Sequence, residues 1–200
     1  MKARLDLRAL AADRPVHFMG VGGAGMYPLA ELLLRSGGQV SGCDSKDSAS
    51  LQALASLGAD VSVGHDEAHV EDAAALVITA AVPPDHPEVL AAKRAGIIVM
   101  KRAEALGTWV AHGRVVGIAG THGKTTTTAM TTEVLAGAGM DPTGLVGGRV
   151  TEWGGNLRYG AGDIFVVEAD EYDRSFLTLS PDVAVITNLE ADHLDIYGDL

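Results

Sequence analysis

Residues 16–35 read VHFMGVGGAGMYPLAELLLR, and the order of features in them decides the fold. Val16 to Met19 is a short apolar run of the kind that forms a buried strand. Gly20, Gly22 and Gly25 satisfy G-x-G-x-x-G directly after it. Pro28 to Arg35 then carries apolar residues at helical spacing. Strand, glycine turn and helix in that order open a βαβ unit. The glycines allow a tight turn and let the backbone approach a diphosphate at a helix N-terminus. Gln39 to Cys43 predicts the second strand. Asp44 closes it, 19 residues after Gly25, where an acid often receives a ribose hydroxyl.

The rhythm continues outward. Ser48 to Leu57 reads as a helix, Asp60 to Val63 as a strand and Ala75 to Thr79 as another, closing before Pro83 and Pro84. Pro87 to Ala95 reads as a helix and Ile97 to Met100 as a fifth strand. This predicts an α/β domain of Rossmann-like type, with a mostly parallel sheet and helices on both faces. The pattern then restarts. Ala103 to Ala111 reads as a helix, Arg114 to Ala119 as a strand, and Lys124 to about Ala138 as a long helix. Ile164 to Glu168 and Val183 to Thr187 read as two more buried strands. Two domains are expected, 1–105 and 106–200, the second being the start of a P-loop α/β domain. That second domain looks cut short, because Tyr197-Gly198-Asp199-Leu200 makes no natural domain end.

Residues 117–128 read GIAGTHGKTTTT. Gly123-Lys124-Thr125 is the core of a phosphate-binding loop placed between an apolar strand and a helix. Amides of Gly120, Thr121, His122, Gly123, Lys124, Thr125 and Thr126 would cradle phosphates. Lys124 would reach the β- and γ-phosphates, and the Thr125 hydroxyl would bind Mg²⁺. Ile118 stands where the strict G-x-x-x-x-G-K-[ST] pattern has glycine, so the GTxGKT form is a narrower signal. Glu168 ends a buried strand, so its carboxylate should emerge at the carboxyl edge of the sheet near that loop, where it can bind Mg²⁺. His193, in TNLEADHLD at 187–195, follows another strand of the same sheet and is a candidate ligand or general base. His65 lies at the ligand edge of the first domain. His17, His69, His86 and His112 read as ordinary. The Gly-rich stretch holding Arg149 and Asn156 reads as a substrate loop.

Composition excludes several classes. The 200 residues are 47% hydrophobic, enough for a real core, and carry 25 glycines but only 4% aromatics. The net charge of -11 repels phosphate backbones, so nucleic acid is not an expected partner. Anions must then be bound locally, by amides, a few cations and metal ions. A single cysteine, Cys43, can form no intramolecular disulfide. No apolar run approaches the ~20 residues of a membrane span, and the first 15 residues hold acids rather than a secretory h-region. A soluble cytoplasmic protein without membrane insertion is expected.

A dinucleotide-type turn followed by a P-loop in one chain resembles the Mur ligases of peptidoglycan synthesis. The resemblance rests on GVGGAGM at 20–26, SGCD at 41–44, HPEV at 86–89, KRAEAL at 101–106, AGTHGKTTTT at 119–128, VEADEYDRSFLTLSP at 167–181 and ITNLEADHLDIYG at 186–198. It implies a first domain, 1–105, that holds the UDP part of a sugar nucleotide through Gly20, Gly22, Gly23, Ala24, Gly25, Met26, Asp44 and His65, with Asn156 added from the later loop. A central domain would bind ATP, and a third, which this chain lacks, would supply amino-acid contacts. By the resemblance, Lys124, Glu168 and His193 are catalytic. Thr125 and Glu168 hold one Mg²⁺, and Glu168 with His193 a second. The GVGGAGM turn narrows the likeness to the branch that joins L-alanine to UDP-N-acetylmuramate through an acyl phosphate, and a chain of this extent is expected to bind but not turn over. Tyr172 departs from the serine common in that branch. The same tyrosine occurs in a sister ligase that attaches recycled murein tripeptide, which stands as the alternative. An NAD-dependent oxidoreductase would explain the first turn alone, and a nucleotide-sugar sensor would not need the catalytic residues.

Overall fold

The computed structural model describes residues 5–170 and 172–190. The chain forms two compact units, Met1–Ala105 and Leu106–Leu200. Among the described residues no helix is long and apolar enough to cross a membrane.

In the first unit Leu7–Asp13 forms α1, Val16–Met19 β1, Tyr27–Arg35 α2, Val40–Asp44 β2, Ala49–Ser56 α3, Asp60–Val63 β3, Ala75–Ile78 β4, Pro87–Arg94 α4 and Ile98–Lys101 β5. Arg102–Val110 forms α5, across the division of the chain. The five strands make one all-parallel sheet in the order β3-β2-β1-β4-β5. A parallel sheet covered on both faces requires apolar strands, and Val16, Phe18 and Met19 of β1 are buried. One face packs under α2, which buries Leu29, Leu32 and Leu33. On the other, Met19, Cys43, Leu76, Val70, Val89 and Ala92 form a cluster beneath α4 and a 3₁₀ turn at Glu67–Val70. Each such fully buried Leu or Met contributes about 1.5–3 kcal/mol before conformational entropy is counted. Strand order reverses between β1 and β4, so the crevice at the carboxyl ends of these strands is where a ligand site belongs.

The second unit contains β6 (Arg114–Ala119), α6 (Lys124–Gly137), β7 (Thr143–Val150), β8 (Gly155–Arg158), β9 (Ile164–Glu168) and β10 (Val183–Ile186). The sheet order is β10-β6-β9-β7-β8. All neighbours are parallel except β7 and β8. Ile118, Ile164 and Val166 centre its core, with Leu135 of α6 packed on them.

Two differences from the sequence reading have physical causes. α1 has only seven residues, too few to show a periodicity. Its specification is the Asp6 carboxylate, which accepts from the Arg8 and Ala9 amides at 2.9 and 3.1 Å. The Gly-rich stretch holding Arg149 and Asn156, expected as a loop, falls in two strands, Thr143–Val150 and Gly155–Arg158. Gly144, Gly147 and Gly148 depress their intrinsic β preference, and tertiary packing supplies what propensity lacks. A Cβ at Gly144 would lie 2.7 Å from Thr132 Oγ1 and 2.8 Å from Trp153, so glycine is what lets α6 approach β7 there.

Candidate functional site

β1 delivers the first glycine turn to the switch point of its sheet. Gly20 has φ +76, and its amide and that of Val21 donate to the Cys43 carbonyl at 2.8 and 3.1 Å. Asp44 does more than end β2, because its Oδ2 accepts from the Gly22 amide at 3.0 Å and so braces the turn. Gly23 and Ala24 are exposed at its crest. A Cβ on Gly25 would lie 3.1 Å from Arg102 Cδ and 3.2 Å from Nε. Arg102, which the sequence reading passed over, therefore lays a guanidinium against the turn. Met26 is 1% exposed and its amide donates to the Gly23 carbonyl at 3.0 Å, so its side chain belongs to the core at the start of α2.

His65 is also aimed differently from expectation. Its Nδ1 points inward, 3.2 Å from Cys43 Sγ and 3.3 Å from Glu88 Oε2. His17 and His69, read as ordinary, join the same cluster. His17 Nε2 lies 3.4 Å from Cys43 Sγ and its Nδ1 2.9 Å from Ser41 Oγ. His69 Nδ1 lies 3.1 Å from Glu88 Oε1. Burial pulls the His17 imidazole down to about 4, and burial together with the Glu88 carboxylate pushes the Cys43 thiol up. Burial alone would raise Glu88, but the Asp66 N–H, His69 and the thiol hold it below the usual carboxylate range. Nothing local in the sequence signals this cluster, since its members are spread from residue 17 to residue 88.

β6 delivers the second turn. Gly120 has φ +130, and a Cβ there would meet Thr187 Oγ1 at 2.1 Å. Gly123, at φ +82, is the N-cap of α6 and makes no side-chain cap. A neighbouring segment clamps the loop. The Asn188 carbonyl accepts from the Thr121 amide at 3.2 Å, Asn188 Oδ1 from the His122 amide at 2.9 Å and Asn188 Nδ2 donates to the His122 carbonyl at 3.1 Å. Thr187 Oγ1 donates to the same carbonyl at 2.7 Å. The amides of Thr121 and His122, expected to cradle phosphate, are thus already committed to Asn188. The first helical amides, from Lys124 to Thr126, have no acceptor inside the helix and carry the positive end of its dipole. His122 itself is exposed, 3.7 Å from Glu190. Lys124 folds back, with Nζ donating to the Gly120 carbonyl at 2.7 Å.

Glu168 ends β9 in the expected place. Among the described residues its Oε1 is buried without a hydrogen-bond partner. A Cβ on Gly147 would lie 3.1 Å from Glu168 Oε2, and one on Gly148 3.4 Å from Thr125 Cγ2 and 3.8 Å from its Oγ1. Two successive glycines of β7 therefore lie against the P-loop threonine and the carboxylate. A buried carboxylate oxygen with no donor is costly, and an oxygen-coordinated cation would satisfy it, so Thr125 and Glu168 fit a Mg²⁺ ion. Asn156 lies on β8 in this second unit, its Nδ2 donating to the Gly147 carbonyl at 3.2 Å. His193 lies outside the described residues.

Comparison with known proteins agrees with this geometry. Residues 15–114 match the Mur ligase family, catalytic domain, and residues 118–200 match the Mur ligase middle domain. The chain belongs to the Mur ligase family. The UDP-N-acetylmuramate–L-alanine ligase of Burkholderia pseudomallei is 51% identical over 183 residues, which is 92% of this chain and 39% of that enzyme. The enzyme of the same name from Methylibium petroleiphilum is 51% identical over 187 residues, 94% of this chain and 40% of that one. The chain thus spans about two fifths of the length of these curated relatives. Among solved structures, the UDP-N-acetylmuramate:L-alanyl-γ-D-glutamyl-meso-diaminopimelate ligase from Neisseria meningitides superimposes with TM-score 0.84 at 35% identity, covering 94% of this chain and 64% of that one. The UDP-N-acetylmuramate–alanine ligase of Thermotoga maritima does so with TM-score 0.83 at 32% identity, covering 94% and 44%. Within the family fold, the residues that sequence reasoning missed are Arg102, Thr187 and Asn188. The TN pair stood in the quoted 187–195 segment, but only the fold shows that it grips the P-loop.

Proposed function

We propose that this chain is the nucleotide-handling portion of an ATP-dependent ligase that joins L-alanine to UDP-N-acetylmuramate in the cytoplasm. The observation that carries the reading is the buried, unpartnered Glu168 Oε1 beside the P-loop threonine. A plain structural turn would not need a carboxylate held there. The first unit would bind the UDP part at the glycine turn, with the Gly20–Gly25 backbone and Arg102 facing the diphosphate and Asp44 bracing the loop. The second would bind ATP at the first turn of α6.

The chemistry follows from charge. The lactyl carboxylate must approach an anionic triphosphate and attack the γ-phosphorus. Its oxygen forms the new P–O bond, ADP leaves, and an acyl phosphate results. The amine of L-alanine then adds to the acyl carbon, loses a proton, and the tetrahedral intermediate expels phosphate to leave the amide. Lys124, released from the Gly120 carbonyl, would move onto the β- and γ-phosphates and stabilise the transferring charge. Thr125 and Glu168 would hold Mg²⁺, whose contribution when bound is to neutralise phosphate charge. Proton removal from the amine falls to a base beyond these residues, for which His193 is the candidate.

Tyr172 and the likeness to the Neisseria ligase support a second reading, in which the added group is a murein tripeptide. The 51% identity to alanine ligases favours the first. Calorimetric titration of the chain tests the shared part, with UDP-N-acetylmuramate and Mg·ATP as ligands and NADH as control. Saturable binding of the first two and none of NADH is expected. Lys124→Ala should abolish Mg·ATP binding and leave UDP-N-acetylmuramate binding intact. NADH binding alone would overturn the reading. Phosphate release by the chain with all three substrates should show no turnover, and many turnovers would contradict the expectation that a third domain is needed. L-alanine against tripeptide in the full-length enzyme separates the two ligases.

A further inference from the structure

The cluster beneath the first glycine turn has the composition of a metal site. Among the described residues, His17, Cys43, His69 and Glu88 each offer one ligand atom, and all four atoms lie within 4.8 Å of one another. They come from four separate elements, β1, β2, the 3₁₀ turn and α4, so the arrangement is tertiary and not a by-product of local spacing. We propose that these four residues bind one first-row divalent transition ion of the zinc type, as a buried structural centre of the first unit.

Three observations support it. The first is size. Zinc bonds of about 2.0–2.3 Å to nitrogen, oxygen and sulfur give tetrahedron edges of roughly 3.3–3.6 Å. His17 Nε2 to Cys43 Sγ is 3.4 Å, Cys43 Sγ to Glu88 Oε1 is 3.4 Å, and His69 Nδ1 to Glu88 Oε1 is 3.1 Å. These three edges already have nearly the lengths an ion would impose, and the other pairs lie within 4.8 Å, so a small inward movement would close the site. The second is charge. Two neutral imidazoles, one thiolate and one carboxylate cancel a divalent cation, and a neutral assembly is what a buried location tolerates. Cys43 and Glu88 are both 0% exposed. The third is support around the ligands. Ser41 Oγ at 2.9 Å holds His17 Nδ1 and leaves Nε2 to face the cluster. The Asp66 amide donates to Glu88 Oε1 at 3.0 Å. Such outer partners are characteristic of metal-bound histidine and carboxylate.

Access is also present. The side chains of His65 and His69 are 31% and 22% exposed, and His65 Nδ1 lies 3.2 Å from Cys43 Sγ, so the two imidazoles make a path from solvent to the thiol. The donor set, with imidazole and thiolate, selects against Mg²⁺ and for zinc-like ions. The cysteine proton must leave when the ion binds, so affinity should rise with pH. Because the Cys43 carbonyl also accepts from the Gly20 and Val21 amides, the ion would fix the strand end from which the glycine turn hangs.

The test is a Co²⁺ titration of the chelator-treated chain without nucleotide, followed by absorption. The expected result is one Co²⁺ per chain, a near-ultraviolet thiolate-to-cobalt charge-transfer band, intense four-coordinate visible bands, and displacement by an equivalent of Zn²⁺. Cys43→Ser, which changes little volume, should lose the charge-transfer band. His69→Asn, at a part-exposed position, should weaken affinity on the order of tenfold or more with unchanged far-ultraviolet circular dichroism. A folded chain that shows no charge-transfer band would overturn the proposal. So would full retention of affinity in His69→Asn, which stands as the test even if Cys43→Ser fails to fold.

Discussion

Gly120 carries two demands that only glycine meets, and they can be separated by substitution. Its φ of +130 lies in a region other residues rarely enter, and its missing Cβ leaves room for Thr187 Oγ1, which would otherwise be 2.1 Å away. Gly123 has φ +82 but open space around it. Gly123→Ala should therefore cost only backbone strain, roughly 1–2 kcal/mol, whereas Gly120→Ala should also displace Thr187 from the loop. In Mg·ATP titrations we expect Gly120→Ala to abolish binding and Gly123→Ala to weaken it; equal losses would show that the Thr187 contact is irrelevant. Asp141 poses the same question without glycine. It has φ +43, its Oδ2 accepts from the Ala161 amide at 2.8 Å, and Arg158 donates to Oδ1 at 3.2 Å. The Ala161 amide and then Arg158 hold its carboxyl below the usual range. The folded value being the lower, its contribution is full above the unfolded pKa of about 3.9 and is lost as pH falls through the folded value. Asp141→Asn tolerates the backbone angle but has no charge to lose. The melting-temperature advantage of the native chain over Asp141→Asn should hold at neutral pH and shrink in acid below that pKa, and a gap independent of pH would refute the assignment.

At the scale of elements, the P-loop is a joint product of α6 and the segment after β10. Asn188 satisfies the loop at three points, through its carbonyl, Oδ1 and Nδ2. Asn188→Ala deletes two side-chain hydrogen bonds at about 1 kcal/mol each. It should weaken Mg·ATP binding roughly tenfold or more while moving the melting temperature little, since the loop is exposed. Loss of fold together with binding would make Asn188 a stability residue instead. This clamp marks where the sequence stopped being legible. β1, β6 and β9 are legible residue for residue because a buried parallel strand is an apolar run with turn residues at both ends, and β3, exposed at both of its ends, is legible from its place between a helix and Gly64. The two glycine turns declared themselves by spacing, and Glu168 by its place at a strand end. β7 and β8 were hidden because their identity lies in contacts with α6 and β9, not in their own residues. The His17–Cys43–His69–Glu88 cluster was hidden for the same reason, as only the sheet register and α4 bring its members together.

For the whole molecule, the decisive property is a net charge of -11, set against the proposal that each unit takes a polyphosphate. The bulk field would oppose both ligands, so under the proposed function binding would come from short-range donors: helix-start amides, Arg102 in the first unit, and Lys124 with a cation at Thr125 and Glu168 in the second. Each ligand's effect should then be local. In hydrogen exchange, UDP-N-acetylmuramate should slow amides around residues 20–25 and 44 in Met1–Ala105, whereas Mg·ATP should slow those around 119–126 in Leu106–Leu200. Glu168→Gln keeps the shape but lacks the charge that holds the cation, so the Mg²⁺-dependent part of ATP protection should disappear while protection by the UDP-sugar persists. If Glu168→Gln retained full Mg²⁺-dependent protection, the unsatisfied carboxylate oxygen would not be the metal ligand. If instead protection by UDP-N-acetylmuramate mapped to the P-loop and not to the first glycine turn, the division of labour between the two units would fall.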